Sequence, residues 1–244
     1  MHLQFVGSGD AFGSGGRFNT CFHVAGAQAN FLIDCGASSL VGLKRLGIAR
    51  DAIDTILVSH FHGDHFGGIP YFVLDAHFGK RARPLVLAGP AGIEGWYLRA
   101  LEAAFEHFST IKLAFDLKIV TLPERVATAL GPLRVTPFPV VHGNSGGPFY
   151  AYRIEVEDRI IAYSGDTEWT DALTEVAHGA DLFVTECYAY DKPIRYHLDL
   201  AAIERNLARL DAKRLVLTHM SDAMLAQIGK VKHETASDGM VVKL

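Results

Sequence analysis

Apolar positions in this chain fall into short runs separated by glycine and polar turns. Residues 3–6, 30–34, 55–59 and 85–88 read as strands, the third an unbroken apolar stretch of the kind buried on both faces. Residues 117–122, 133–141, 149–156 and 160–164 continue as strands, with a tight hairpin turn expected at Asp158-Arg159. Residues 182–185 and 214–217 follow as strands, and 240–244 close the chain. Helices are expected over 69–78, where Gly68-Ile69-Pro70 is a start signal, and over 91–107, 173–178 and 198–210. Ser38 stands as the N-cap of a further helix reaching about Leu46. Strands that are apolar throughout, alternating with helices, belong to sheets covered by helices. The expected fold class is α/β, a four-layer αββα sandwich of two mixed β-sheets flanked by helices. No linker-like stretch interrupts residues 1–244, so a single domain is expected.

Hydrophobic residues make up 49% of the 244 and charged residues 20%, the balance of a folded chain rather than a disordered one. The formal net charge is -4, whereas nucleic-acid binders usually carry a basic excess or stripe. Transfer RNA is therefore not an expected partner, and a small-molecule substrate is. The densest basic stretch, Lys80-Arg81-Ala82-Arg83, reads as a solvated loop. Cys21, Cys35 and Cys187 are odd in number and form no CxxC pair, which fits a reducing cytoplasm. The first residues read as a strand rather than a signal peptide, and no run approaches the roughly 20 apolar residues that span a bilayer. A cytoplasmic location without a membrane partner is expected, and a homodimer is left open. Gly7, Gly9, Gly13, Gly15 and Gly16 mark a loop that reads as mobile, its spacing fitting neither a P-loop nor a dinucleotide fingerprint.

Candidate chemistry is concentrated in Ser59-His60-Phe61-His62-Gly63-Asp64-His65-Phe66-Gly67-Gly68, at the end of an expected strand. Imidazole nitrogens and carboxylate oxygens are good zinc ligands. In extended backbone, residues two apart point the same way, so His60 and His62 address one ion together. A turn at Gly63 aims Asp64 and His65 elsewhere, at a second ion. Two ions roughly 3.5–4 Å apart serve hydrolytic chemistry. These donors do not fill two coordination spheres, and the chain supplies further candidates at later strand ends: His142, Asp166 and His219.

The set His60, His62, Asp64, His65, His142, Asp166 and His219 resembles the complete ligand set of the metallo-β-lactamase superfamily. Gly7-Ser8-Gly9 and Asp34-Cys35-Gly36 resemble that family as well, and the match runs over residues 5–219. The resemblance implies one zinc on His60, His62 and His142, a second on Asp64, His65 and His219, and Asp166 bridging them. Mn²⁺ or Fe²⁺ would accept the same donors. Asp166 stands where lactam hydrolases of the superfamily carry cysteine, and diiron oxidases depart from His-x-His-x-Asp-His itself; this sequence keeps the hydrolytic pattern. Glu186 and His197 resemble a pair carried by ribonuclease Z and its phosphodiesterase relatives. There the histidine protonates or stabilises the leaving oxygen, and the glutamate orients it. A surface glutamate and a helix-capping histidine are the alternative reading. The long arm with which ribonuclease Z grips transfer RNA has no counterpart here.

The resemblance thus implies a dinuclear zinc-dependent hydrolase, a phosphodiesterase acting on a small phosphodiester through a metal-bridging hydroxide. Asp64 would orient the water, and His197, held by Glu186, would assist the departing alkoxide. Hydrolysis of a thioester, lactone or lactam is the alternative, and a non-catalytic metal-binding module the third reading.

Overall fold

The structure is a computed structural model that describes residues 1–144 and 147–244. Its strands gather into two seven-stranded sheets. The first holds β1 (His2–Gly7), β2 (Cys21–Ala25), β3 (Asn30–Ile33), β4 (Thr55–Leu57), β5 (Leu85–Gly89) and β6 (Leu117–Thr121) side by side. The second holds β7 (Thr128–Leu130), β8 (Leu133–Pro139), β9 (Tyr150–Val156), β10 (Arg159–Tyr163), β11 (Leu182–Glu186), β12 (Leu215–Thr218) and β13 (Glu234–Thr235). β14 (Val241–Lys243) returns to the first sheet and pairs with β1. Both sheets are mixed: β3 to β6 run parallel, as do β10 to β13.

Helices α1 (Ser39–Arg45), α2 (Gly63–Phe66), α3 (Ile69–Phe78) and α4 (Ile93–Ala104) follow strands of the first sheet. Helices α5 (Ala172–Ala177), α6 (Leu200–Asn206) and α7 (Asp222–Leu225) follow strands of the second. The strand period of two then sorts the side chains into three apolar layers. Phe31 and Ile33 of β3 meet Ile161 and Tyr163 of β10 and Val184 of β11 between the sheets. Leu32 and Ile56 point outward, against Phe72, Val73 and Tyr97 of α3 and α4. Ala162, Phe183 and Leu217 point the opposite way, against Leu173, Val176 and Ile203 of α5 and α6. Both faces of each central strand are buried, which is why their sequences are apolar without alternation. The expected four-layer αββα sandwich is what the chain forms. Among the described residues, no helix is long and apolar enough to cross a membrane.

Several local expectations differ from the structure. The β9–β10 turn is Glu157-Asp158, not Asp158-Arg159: both turn residues have positive φ (49° and 59°), and Arg159 already pairs with Val156. The Glu157 carboxylate also accepts the N–H groups of Ala27, Gln28 and Ala29 at 3.1, 2.7 and 3.1 Å, tying the second sheet to the β2–β3 turn of the first. Ser38 occupies the position before α1, but its hydroxyl accepts the Asn19 N–H at 2.7 Å and caps nothing in the helix. The expected helix over 91–107 is confined to α4, beginning after Gly92 and ending before Phe105. Arg81 is not in a solvated loop. It is buried, and its guanidinium donates to the carbonyls of Arg83, Arg50, Ile53 and Pro84 at 2.7, 3.1, 2.6 and 2.7 Å. Strands β2, β7 and β13 lie outside the expected set.

Candidate metal centre

The carboxyl ends of β3, β4, β10, β11 and β12 converge at one edge of the sandwich, the position where open α/β sheets place their ligands. His60 follows β4. α2 then turns the chain at Gly63 and carries Asp64 and His65 to a different side from His62. His142 follows β8, Asp166 follows β10, His219 follows β12, and Glu186 ends β11.

These side chains form two adjoining cups. In the first, His62 Nδ1 lies 3.1 Å from His60 Nε2 and 3.0 Å from His142 Nε2. In the second, the Nε2 atoms of His65 and His219 are 3.3 Å apart and lie 3.2 and 3.1 Å from Asp64 Oδ2. Asp166 Oδ2 sits between the cups, 3.3 Å from both His65 and His219 and 3.7 Å from His142 Nε2. Donors about 2.0–2.1 Å from a tetrahedral zinc are themselves about 3.3 Å apart, so the spacing fits such an ion. Facing nitrogen lone pairs at this distance repel unless a proton or a cation lies between them. Burial holds His60 below the ordinary imidazole range and His142 at about 4, which leaves both neutral and able to ligate near pH 7. Burial works against charge on Asp64 and Asp166, but the neighbouring imidazoles outweigh it and hold both below the usual carboxylate range.

The outer nitrogens are also placed. His65 Nδ1 donates to Asp34 Oδ2 at 2.7 Å, and His142 Nδ1 donates to the Tyr196 carbonyl at 3.0 Å. Each bond fixes the tautomer that turns Nε2 into the cup, as metal-binding histidines require. Asp34 is fully buried, adopts φ 58°, and accepts the Ser59 N–H and hydroxyl at 2.7 and 2.8 Å. In the sequence, Asp34 stands out only through the family resemblance of Asp34-Cys35-Gly36, with no role attached to it. Two glycines permit the close packing. Gly165, at φ 58°, would put a Cβ 2.4 Å from the Tyr150 carbonyl oxygen, and Gly36 would put one 2.1 Å from that of Asp64.

Glu186 is fully buried, and its Oε2 lies 2.8 Å from His197 Nδ1. Its Oε1 accepts the Thr167 N–H. It is therefore no surface glutamate, and the N-cap of α6 is Asp199, not His197. Burial and the Asp166 charge push the Glu186 carboxyl up to about 7. Burial pulls His197 down, but the bond to Glu186 outweighs it and leaves the imidazole above its ordinary value. The buried carboxylate thus favours the charged form of the His197 ring. The His197 ring stacks on Tyr188, with centroids 4.5 Å apart.

A cavity of about 260 Å³ opens over the cups, lined by His62, Asp64, His142, Asp166, His197 and His219, with Phe12, Tyr188, Arg195 and Tyr196 at its walls. Tyr190 lines a neighbouring cavity of about 530 Å³. The glycine loop after β1, expected to be mobile, is hydrogen-bonded at several points. The Asp10 carboxylate binds the N–H groups of Phe12 and Ser14, Asp222 binds that of Gly15, and Asp238 binds that of Phe18. Four of the loop's N–H groups are thus taken by the protein's own carboxylates.

A protein-family profile described as "Anti-Pycsar protein Apyc1" matches residues 1–240 of the chain. Ribonuclease BN of Erwinia tasmaniensis is 26% identical over 280 aligned positions, covering 92% of this chain and 90% of that protein. The anti-Pycsar protein Apyc1 of Saccharibacillus brassicae is 32% identical over 120 positions, covering 48% of this chain and 49% of that one. Among solved structures, the metallo-beta-lactamase fold protein YhfI from Bacillus subtilis superposes with a TM-score of 0.80 at 22% identity, covering 99% of this chain and 98% of YhfI.

Proposed function

The chain belongs to the family of the anti-Pycsar protein Apyc1, among the metal-dependent hydrolases of the metallo-β-lactamase superfamily near ribonuclease Z, and we propose that it is a dinuclear zinc phosphodiesterase for small phosphodiesters, cyclic nucleotides being the class that this membership suggests. The observation that carries the reading is the Glu186–His197 pair, bonded at 2.8 Å beside two cups of metal-ligating side chains. His60, His62 and His142 would hold one ion, Asp64, His65 and His219 the other, and Asp166 would touch both. Zinc bound there lowers the pKa of water towards neutrality and polarises phosphoryl oxygens.

The remaining steps fall to the chain's own residues. Asp64 accepts a hydrogen bond from the attacking water and orients it. His197 presents Nε2 to the cavity while Glu186 accepts the bond from Nδ1–H and favours the imidazolium, whose Nε2 proton passes to the departing alkoxide. The 260 Å³ cavity suits a small ester better than folded RNA. The 280-position alignment to ribonuclease BN is also longer than this 244-residue chain, so that enzyme carries stretches this one lacks.

The test is turnover by the zinc-loaded protein on a panel of cyclic nucleotides, bis-p-nitrophenyl phosphate, lactones and lactams. Phosphodiester turnover that Asp64→Ala lowers by at least a thousandfold is expected. Turnover of lactones or lactams alone, or full activity of Asp64→Ala, overturns the assignment.

A further inference from the structure

Phe12 is 88% exposed, the most exposed of the large apolar side chains, and it stands at the wall of the site cavity. Exposed phenylalanines are ordinary when scattered singly on mobile surface. This one is held out by buried scaffolding. Asp10 is 1% exposed, and its carboxylate accepts Phe12 N–H at 3.2 Å, Ser14 N–H at 2.9 Å and the Ser14 hydroxyl at 2.8 Å. Asn19 Nδ2 donates to the Asp10 carbonyl at 3.0 Å from the other side. The preceding Ser8 carbonyl accepts the His219 N–H at 3.1 Å, so the base of the loop is bonded to a residue of the metal cups. Elsewhere around the cavity stand other flat surfaces: Tyr188, and Tyr196 with the Arg195 guanidinium 4.5 Å above its ring centroid. At about 260 Å³ the cavity is below the ~300–1,000 Å³ usual for ligand sites, so a bound phosphodiester whose phosphate reaches the cups extends to the mouth.

We propose that Phe12 is a specificity-determining residue, its ring stacking on a nucleobase attached to the phosphodiester, with Asp10 as the residue that positions it. The inference rests on the phosphodiesterase reading for its substrate class. Stacking on an aromatic ring is indifferent to base identity, because every base has a π-face. Phe12 therefore selects nucleotides over other phosphodiesters, and leaves discrimination among bases to other parts of the cavity.

The experiment compares wild type, Phe12→Ala and Phe12→Tyr on adenosine 3′,5′-cyclic phosphate and on its base-free analogue, methyl ribofuranoside 3′,5′-cyclic phosphate. Phe12→Ala should raise KM for the cyclic nucleotide about tenfold, with kcat within twofold, and leave the analogue unchanged. Phe12→Tyr should restore the wild-type KM. Equal losses on both compounds, or no change on either, overturn the proposal. If the wild type hydrolyses no phosphodiester, the functional reading fails by itself, and equilibrium binding of AMP against ribose 5-phosphate then decides the role of Phe12. AMP binding about tenfold weaker in Phe12→Ala, with ribose 5-phosphate unaffected, upholds it; unchanged AMP binding overturns it.

Discussion

The 2.8 Å bond from His197 Nδ1 to Glu186 leaves Nε2 as the ring nitrogen available to a substrate. A general acid matters in proportion to the basicity of its leaving group. His197→Ala should therefore lower kcat by about 10²–10⁴ for esters that release an alkoxide, and by less than tenfold for those that release p-nitrophenolate. Equal losses on both would leave His197 without an acid role. This pair was visible in the sequence only through its family resemblance. Glu186 lies in an ordinary strand and His197 in a loop eleven residues on, and nothing local says that they touch. Asp34 makes the complementary point. Its importance comes from accepting bonds from Ser59 and His65, 25 and 31 residues further along, and long-range polar pairing leaves no periodic trace.

Among elements, the central strands were legible because burial on both faces removes the polar positions that would blur them. Short edge pieces were not: β7 has three residues and β13 two, too few for any period to show. The basic stretch before β5 misled for a related reason, since charge composition cannot reveal a guanidinium enclosed by carbonyls. Arg81 satisfies four of them between α3 and β5, and removing it strands those acceptors in a buried place. Arg81→Met should cost about 3 kcal/mol. In a chain of this size that lowers Tm by roughly 6–12 °C, read by calorimetry. A loss below about 2 °C would mean that water reaches the freed carbonyls.

At the scale of the molecule, the αββα architecture followed from alternating strands and helices, and the cups from a compact motif plus three donors at strand ends. What the sequence could not supply was the mutual placement of the two sheets, which depends on the packing of Phe31, Tyr163 and their neighbours between them. From the same placement, stability is expected to depend on bound metal. A ligand that binds only the folded state at 100–1,000 times its Kd adds about 3–4 kcal/mol. Zinc loading should raise Tm by roughly 5–15 °C, and a chelator should reverse it. Asp166→Ala, which takes a donor from both cups, should abolish most of that shift.

The first sheet and α2 carry His60, His62, Asp64 and His65, and the second sheet carries His142, Asp166 and His219. Neither half owns a complete coordination shell. An ion in either cup would therefore be gripped from both sheets at once, and a substitution that loosens the packing between them is expected to weaken its hold. Such an ion would act as a rivet through the sandwich.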